Sequence, residues 1–281
     1  MAMKKLVVFL IVVLVFSVFL YFDNGRLTLT RYTIDDSRLS EAFSGLRIVQ
    51  LSDVHDAGFG EGQSRLVERV RREKPDLIFI TGDFIDSNRY DLDRSMDMIP
   101  GLTAVADVFY VIGNHEVATN RIEEITGALE EAGVHVLRNE AMVIGDGEDR
   151  LAIAGIDDLL IGAGVEGEDA YTEDSLAAAL SGIPGGAYTL LLAHRPEQFG
   201  AYAAADIPLT FSGHAHGGQV RLPFIDGIVA PGQGWFPSLT SGVHDQGGSR
   251  LIISRGLGNS IIPLRVFNPP EIVSVTLRRT D

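Results

Sequence analysis

Arg47-Ile48-Val49-Gln50-Leu51-Ser52-Asp53-Val54-His55 is the stretch on which the reading of this chain turns. Five residues suited to a buried strand run into an Asp-x-His pair, and a Gly-rich turn follows at Gly58, Gly60 and Gly62. A helix is expected next, around Ser64 to Lys74, with Pro75 stopping it because proline lacks the N–H that would extend the ladder. The same order recurs twice. Leu77-Ile78-Phe79-Ile80-Thr81 delivers Gly82-Asp83, and Val108-Phe109-Tyr110-Val111-Ile112 delivers Gly113-Asn114-His115-Glu116. Continuous apolar runs of this length, with no alternation, mark strands buried on both faces. Polar residues at their carboxyl ends fall where open α/β sheets gather loops around one crevice.

Beyond residue 140 strands crowd together, at about Leu151 to Ala154, Thr189 to Ala193, Leu209 to Ser212, Gln219 to Leu222, Leu251 to Ser254 and Ile272 to Leu277. One helix, near Thr172 to Leu180, interrupts them. This predicts an α/β (α+β) fold: two packed mixed β-sheets with helices outside, a four-layer αββα sandwich. Two further motifs sit in this half, His194 and Gly213-His214-Ala215-His216. Asp, Asn and neutral His supply oxygen and nitrogen ligands for divalent metals, and two such metals a few ångströms apart can clamp both ends of a phosphoryl displacement.

Composition narrows the field. The 281 residues contain no cysteine, which excludes disulfides and thiolate chemistry and leaves His, Asp, Asn or water to hold any metal. A formal net charge of −15 argues against a nucleic-acid groove, which depends on Lys and Arg to neutralise phosphates. Nothing in the sequence implies an obligate protein partner.

The amino-terminal end reads as membrane material. After Lys4 and Lys5, residues 6–22 form a run of seventeen, apolar or aromatic except for Ser17, which spans about 25 Å at ~1.5 Å per residue. The chain passes from Leu20-Tyr21-Phe22 directly into Asp23-Asn24-Gly25, without the small-x-small pattern of a signal-peptide cleavage site. The expectation is an uncleaved single-pass transmembrane helix over 1–24, a linker and first strand region over 25–44, and one large domain over 45–281. Lys4 and Lys5 on the short leading side would keep that end in the cytoplasm and put the domain outside it.

In order and composition the five motifs resemble those of the calcineurin-like metallophosphoesterases, over roughly residues 45 to 278. The runs Gly213-His214-Ala215-His216-Gly217-Gly218-Gln219-Val220-Arg221-Leu222-Pro223, Ser254-Arg255-Gly256-Leu257-Gly258 and Pro263-Leu264-Arg265 are similar to its membrane-anchored YkuE- and YaeI-like branch. That branch is related to UDP-2,3-diacylglucosamine pyrophosphohydrolases. The resemblance implies two divalent metal ions, manganese foremost with iron, zinc or magnesium as alternatives. Asp53, His55 and His216 would hold one, Asn114, His194 and His214 the other, and Asp83 would bridge them. It further implies in-line attack by a hydroxide between the metals, with His115 as general acid toward the leaving oxygen and Asp86, from the Gly82-Asp83-Phe84-Ile85-Asp86 pattern, orienting its ring. The implied activity is hydrolysis of a phosphodiester or pyrophosphate bond, on a phosphorylated small molecule or a lipid-linked substrate such as UDP-2,3-diacylglucosamine. A broad extracytoplasmic phosphodiesterase or phosphomonoesterase is the alternative, and a non-catalytic metal-binding scaffold the third reading.

Other residues carry blander expectations. Ser87 and Ile112 stand where related protein phosphatases carry phosphate-binding arginines, which argues against a phosphoprotein substrate. Of Arg195, Arg221, Arg255 and Arg265, Arg195 beside His194 is the candidate to bind substrate. Asp56 and the Asp157-Asp158 pair read as solvated or turn carboxylates, and His135 and His244 as local structure. Trp235 and Phe236, near the last motif, read either as a surface for acyl chains or as a cap on the core.

Overall fold

The structure, a computed structural model, describes residues 1–147, 149–162, 167–222, 225–259 and 264–281. Pro223 and Pro263, which belong to the runs quoted above, lie outside the described residues.

A helix, α1 (Ala2–Gly25), precedes the first strand. One sheet then takes β1 (Thr28–Asp36), β2 (Arg47–Leu51), β3 (Leu77–Thr81), β4 (Asp107–Val111) and β5 (His135–Val136). The second takes β6 (Glu140–Asp146), β7 (Asp149–Gly155), β8 (Tyr188–Leu192) and β9 (Leu209–Ser212). Two small hairpins follow, β10 (Arg221–Leu222) with β11 (Ile225–Gly227), and β12 (Val229–Ala230) with β13 (Gly234–Trp235). The chain then adds β14 (Gly242–Gln246) and β15 (Ser249–Ile253) to the second sheet and returns β16 (Glu271–Arg279) to the first.

The first sheet runs β1-β16-β2-β3-β4-β5, parallel except where β16 meets β2. The second runs β14-β15-β9-β8-β7-β6, parallel across its centre with antiparallel strands at both edges. The apolar runs therefore have both faces covered, as expected for strands without alternation. Along β3, Leu77 and Phe79 pack between the sheets with Phe109, Leu190, Leu192 and Phe211, while Ile78 and Ile80 point to the helices. On that outer face lie α2 (Ser64–Glu73), α3 (Leu92–Met96), α4 (Ile99–Thr103), α5 (Asn114–Thr119) and α6 (Ile122–Glu131); Leu66, Val70, Leu102 and Leu129 close it. The far face of the second sheet is covered by α7 (Glu168–Leu180) and α8 (Phe199–Ala204) through Leu176, Phe199 and Tyr202. The layers are thus αββα, as the sequence predicts.

Within residues 25–44 the first strand is β1, which pairs with β16 over nine residues and so belongs to the first sheet. Two differences from the sequence reading have physical causes. The strand expected at Gln219 to Leu222 shrinks to two residues, because Gly217, Gly218 and Gln219 all take positive φ and turn the backbone out of extension. The short helix α8 was not foreseen: its six residues, Phe-Gly-Ala-Tyr-Ala-Ala, offer too little length for a period to show.

The anchor-like helix is long and apolar enough to cross a membrane, and almost all of it is exposed. Only its last turns touch the domain. Asn24 exchanges two hydrogen bonds of 2.8 Å with the backbone of Arg265, Asp23 accepts the N–H of Asn268, and Phe19 packs on Phe267 with ring centroids 4.8 Å apart.

Candidate metal centre

Each candidate ligand leaves the carboxyl end of a central strand: Asp53 and His55 after β2, Asp83 after β3, Asn114 after β4, His194 after β8, and His214 and His216 after β9. Both sheets thus contribute to one crevice. Five of these seven residues, Asp53, His55, Asp83, His214 and His216, have φ between 48° and 62°, a region costly for side-chain-bearing residues. Such a concentration at one place is strain that the surrounding fold imposes, and it turns adjacent side chains inward. Close glycines make room: a Cβ on Gly82 would come within 2.5 Å of His194 Nδ1 and 2.9 Å of Gly113 Cα.

Two buried ligand groups result, and they share one carboxylate. Asp53, His55, Asp83 and His216 gather their donor atoms within 4.8 Å of one another, as do Asp83, His194 and His214. His55 Nε2 lies 3.5 Å and His194 Nε2 3.3 Å from the same oxygen, Asp83 Oδ2. Asn114 Oδ1, 3.2 Å from His194 Nε2, completes the second group. The first group closes with His216 Nε2 at 3.5 Å from Asp53 Oδ1 and 3.1 Å from His55 Nε2.

The donor chemistry fits divalent cations. His194 Nδ1 lies 2.8 Å from the Thr81 carbonyl, which can only accept, so Nδ1 carries a proton; in the neutral ring the Nε2 lone pair then faces two oxygens of Asp83 and Asn114. Such a set of acceptors holds together only around a proton or a metal. Burial works against a charge on His194, yet the Asp83 carboxylate raises it to about 10, so a proton is drawn to the place a cation would take. The imidazoles of His55, His214 and His216 stay neutral, the form that ligates metal. Burial lowers His55 to about 4 and His216 to about 3, with the Arg265 guanidinium assisting at His216; burial and then Arg195 hold His214 well below its ordinary value. Against its own burial, Asp83 is held well below the carboxylate range, first by His194 and then by His55.

His115 stands beside this centre, its ring edge-on to His55 with centroids 4.4 Å apart. The expected Asp86 contact does not form as a hydrogen bond: the nearest carboxylate oxygen is 3.7 Å from Nδ1, while the Ser87 N–H donates to that nitrogen at 3.0 Å. Asp86 instead accepts from the Asn88 N–H and holds the Arg89 guanidinium. Arg195 is likewise not an unengaged fork. Asp158 grips it at 2.7 and 3.0 Å, and its Nη1 lies 2.9 Å from His214 Nε2, so it braces a candidate ligand. Arg221 pairs with Asp226, and Arg255 with Glu271. Arg265 is fully buried, donating to backbone carbonyls and reaching His216 Nδ1 at 3.2 Å.

Sequence reasoning missed several supports. Glu116 accepts backbone N–H groups from Asp83, Phe84, Ile85 and Gly113 at 2.7 to 3.1 Å, locking the GD and GNHE loops together. Burial, then the Asp83 charge, raises its carboxyl to about 7. Asp56, read as solvated, is buried and anchors the next loop by accepting from the N–H groups of Asp86 and Asp91 and from Ser95 Oγ. Asp158 reads as a turn residue in isolation; its grip on Arg195 crosses 37 positions and leaves no local pattern. His135 stacks on Phe109, and His244 lies 3.0 Å from the Ser241 carbonyl, so both are local structure.

Comparison with known proteins agrees with this geometry. A protein named uncharacterized metallophosphoesterase YkuE, from Bacillus subtilis, is 30% identical over 269 residues, covering 93% of this chain and 89% of its own. An uncharacterized metallophosphoesterase of Aquifex aeolicus is 31% identical over 264 residues, covering 92% and 94%. A zebrafish (Danio rerio) transmembrane protein with metallophosphoesterase domain is 29% identical over 86% of this chain and 55% of its own. The profile of the calcineurin-like phosphoesterases matches residues 46–218, from β2 through the final His-x-His motif, and the chain belongs to that family.

Proposed function

We propose that this phosphoesterase hydrolyses a phosphodiester or pyrophosphate bond of a lipid-linked substrate, with UDP-2,3-diacylglucosamine as the specific candidate. The observation that carries the reading is the sharing of Asp83 by two buried ligand groups. Two divalent ions bound there, manganese foremost, would supply an activated water and neutralise charge on the phosphoryl oxygens. The chain's own residues do the rest. Asp53, His55 and His216 on one side, and Asn114, His194 and His214 on the other, fix the position of the reacting phosphorus. His115, whose Nδ1 accepts from Ser87, carries its neutral-form proton on Nε2 and can deliver it to the leaving oxygen. Glu116 and the Asp158-held Arg195 keep the loops from relaxing.

The lipid part of the reading is supported by the lie of the chain. The last turn of α1 is bonded to Arg265 and Asn268, and Asn268 Nδ2 donates to the His216 carbonyl at 2.7 Å. Trp235 and Phe236 are 73% and 69% exposed on a hairpin whose backbone joins this loop: Phe236 donates to Ile228, Ile228 to Val220, and Val220 bridges Val266. Exposed aromatics continuous with the end of an apolar helix suit a membrane surface. We place the domain outside the cytoplasm; protease treatment of intact cells that left it whole would overturn that side of the proposal.

Full-length protein in detergent micelles with manganese is expected to release product from UDP-2,3-diacylglucosamine far faster than from bis(p-nitrophenyl) phosphate, and the Asp83→Ala protein to release none. Turnover of the generic diester alone would point to a broad extracytoplasmic phosphodiesterase or phosphomonoesterase. No turnover with manganese, iron, zinc or magnesium would refute hydrolysis and leave a metal-binding scaffold.

A further inference from the structure

A cavity of about 230 Å³ opens beside His55 on the outer side of the centre, and the five motifs do not account for it. His55 forms part of its lining, with Asp56, Arg89, Asp91, Arg94 and Asn259. The lining carries two cations, Arg89 and Arg94, whose guanidiniums are only partly engaged within the described residues. Arg94 has no ion pair among the described residues, and its guanidinium lies against Gly58, where a Cβ would come within 2.5 Å of Nη2. Arg89 is held on one side only: Nε and Nη2 donate to Asp86 Oδ2 at 2.8 and 2.5 Å, and Nη2 to the Asn259 carbonyl at 3.1 Å. Its Nη1 hydrogens have no partner among the described residues, and the side chain is 60% exposed. The two acids in the lining are committed elsewhere. Asp56 serves the loop backbone, and Asp91 caps α3 by accepting the Arg94 N–H.

In a chain of net charge −15, two guanidiniums with open donors beside a metal centre call for an anion. We propose that this cavity is a subsite for a second anionic group of the substrate, of the phosphate class, which Arg89 and Arg94 grip while the scissile group lies at Asp83. The proposal rests on the phosphoesterase reading and makes it narrower: the preferred substrate carries a second charge near the bond that breaks, whether in a diphosphate or on a phosphorylated headgroup. Asp86 then positions Arg89 through Oδ2, while its Oδ1 lies 3.7 Å from His115 Nδ1.

The first test keeps metal out of the readout. Inorganic phosphate is titrated calorimetrically into chelator-treated full-length protein in micelles, comparing wild type with Arg94→Ala, Arg89→Ala and Arg94→Lys. We expect each alanine variant to weaken phosphate binding about ten-fold or more, and lysine to restore part of it. Absence of binding to the wild type, or equal binding to the variants, would overturn the proposal. The second test takes the KM ratio between UDP-glucose, with two phosphates, and bis(p-nitrophenyl) phosphate, with one. Arg94→Ala is expected to shift that ratio about ten-fold against the diphosphate; an unchanged ratio would count against the subsite. Phosphate binding that depends on Arg94, in a protein that turns over neither compound, would retain the subsite and refute the hydrolase.

Discussion

Glu116 acts without being a candidate ligand: both of its oxygens are spent on backbone N–H groups, those of Asp83, Phe84, Ile85 and Gly113. Glu116→Gln turns one acceptor oxygen into a donor that must face another donor. A loss of about 1 to 3 kcal/mol in stability is expected, read as a lower denaturation midpoint, together with at least ten-fold lower turnover as the loop carrying Asp83 loosens. The imidazoles give a pH signature in the chelated protein. His55 and His216 have folded values of about 4 and about 3 against an ordinary 6.5, so the stability they lend is full above about 6.5 and drains away as pH falls toward those values. His194, raised to about 10, does the reverse, contributing fully below about 6.5 and losing its share as pH rises through about 10. Melting temperatures of chelated protein should therefore fall on both sides of near-neutral pH, and a flat profile from about 5 to 10 would contradict these shifts. The ligand types were legible in the sequence because their chemistry is written in the side chains. The long-range supports were not: Glu116 reaches the N–H groups of Asp83, Phe84 and Ile85, and Asp158 reaches Arg195, each across about 30 to 40 positions, and such bonds have no period.

At the scale of elements, the ends of strands carry the chemistry and the middles carry the fold. β3 shows both. Phe79 lies between the sheets, edge-on to Phe109 and Phe211 with centroids at 6.0 and 5.0 Å, and four residues later Asp83 serves both ligand groups. Phe79→Ala is expected to cost about 3 to 5 kcal/mol, measured by chemical denaturation, with little change in metal stoichiometry in whatever fraction remains folded. Gly113→Ala should do the opposite. The added methyl group would collide with the Asp83 carboxylate and crowd His194 Nε2, so metal affinity should collapse in a protein that still melts cooperatively. Strand positions were readable because burial on both faces enforces unbroken apolar runs. The turn at Gly217 to Gln219 was not, since a positive φ on Gln219 is set by its bonds to the Arg265 segment rather than by its own preference.

For the whole molecule, a run of seventeen residues, apolar or aromatic except for Ser17, revealed a membrane-length helix, but not how its end is used. The sequence reading counts Asp23 and Asn24 with the anchor; in three dimensions they hold Asn268 and Arg265, and those two hold the backbone and ring of His216. A fragment starting at Leu27 should keep its two sheets but lose metal more readily than the full chain, seen as a lower metal-to-protein ratio after dialysis at equal secondary-structure content. Equal metal retention would deny the connection. The frontier between the apolar helix and the catalytic domain thus falls inside the final helical turn. Anyone replacing that helix with a foreign one would have to carry Asp23 and Asn24 across as the domain's own property, or deliver a catalyst without its fittings.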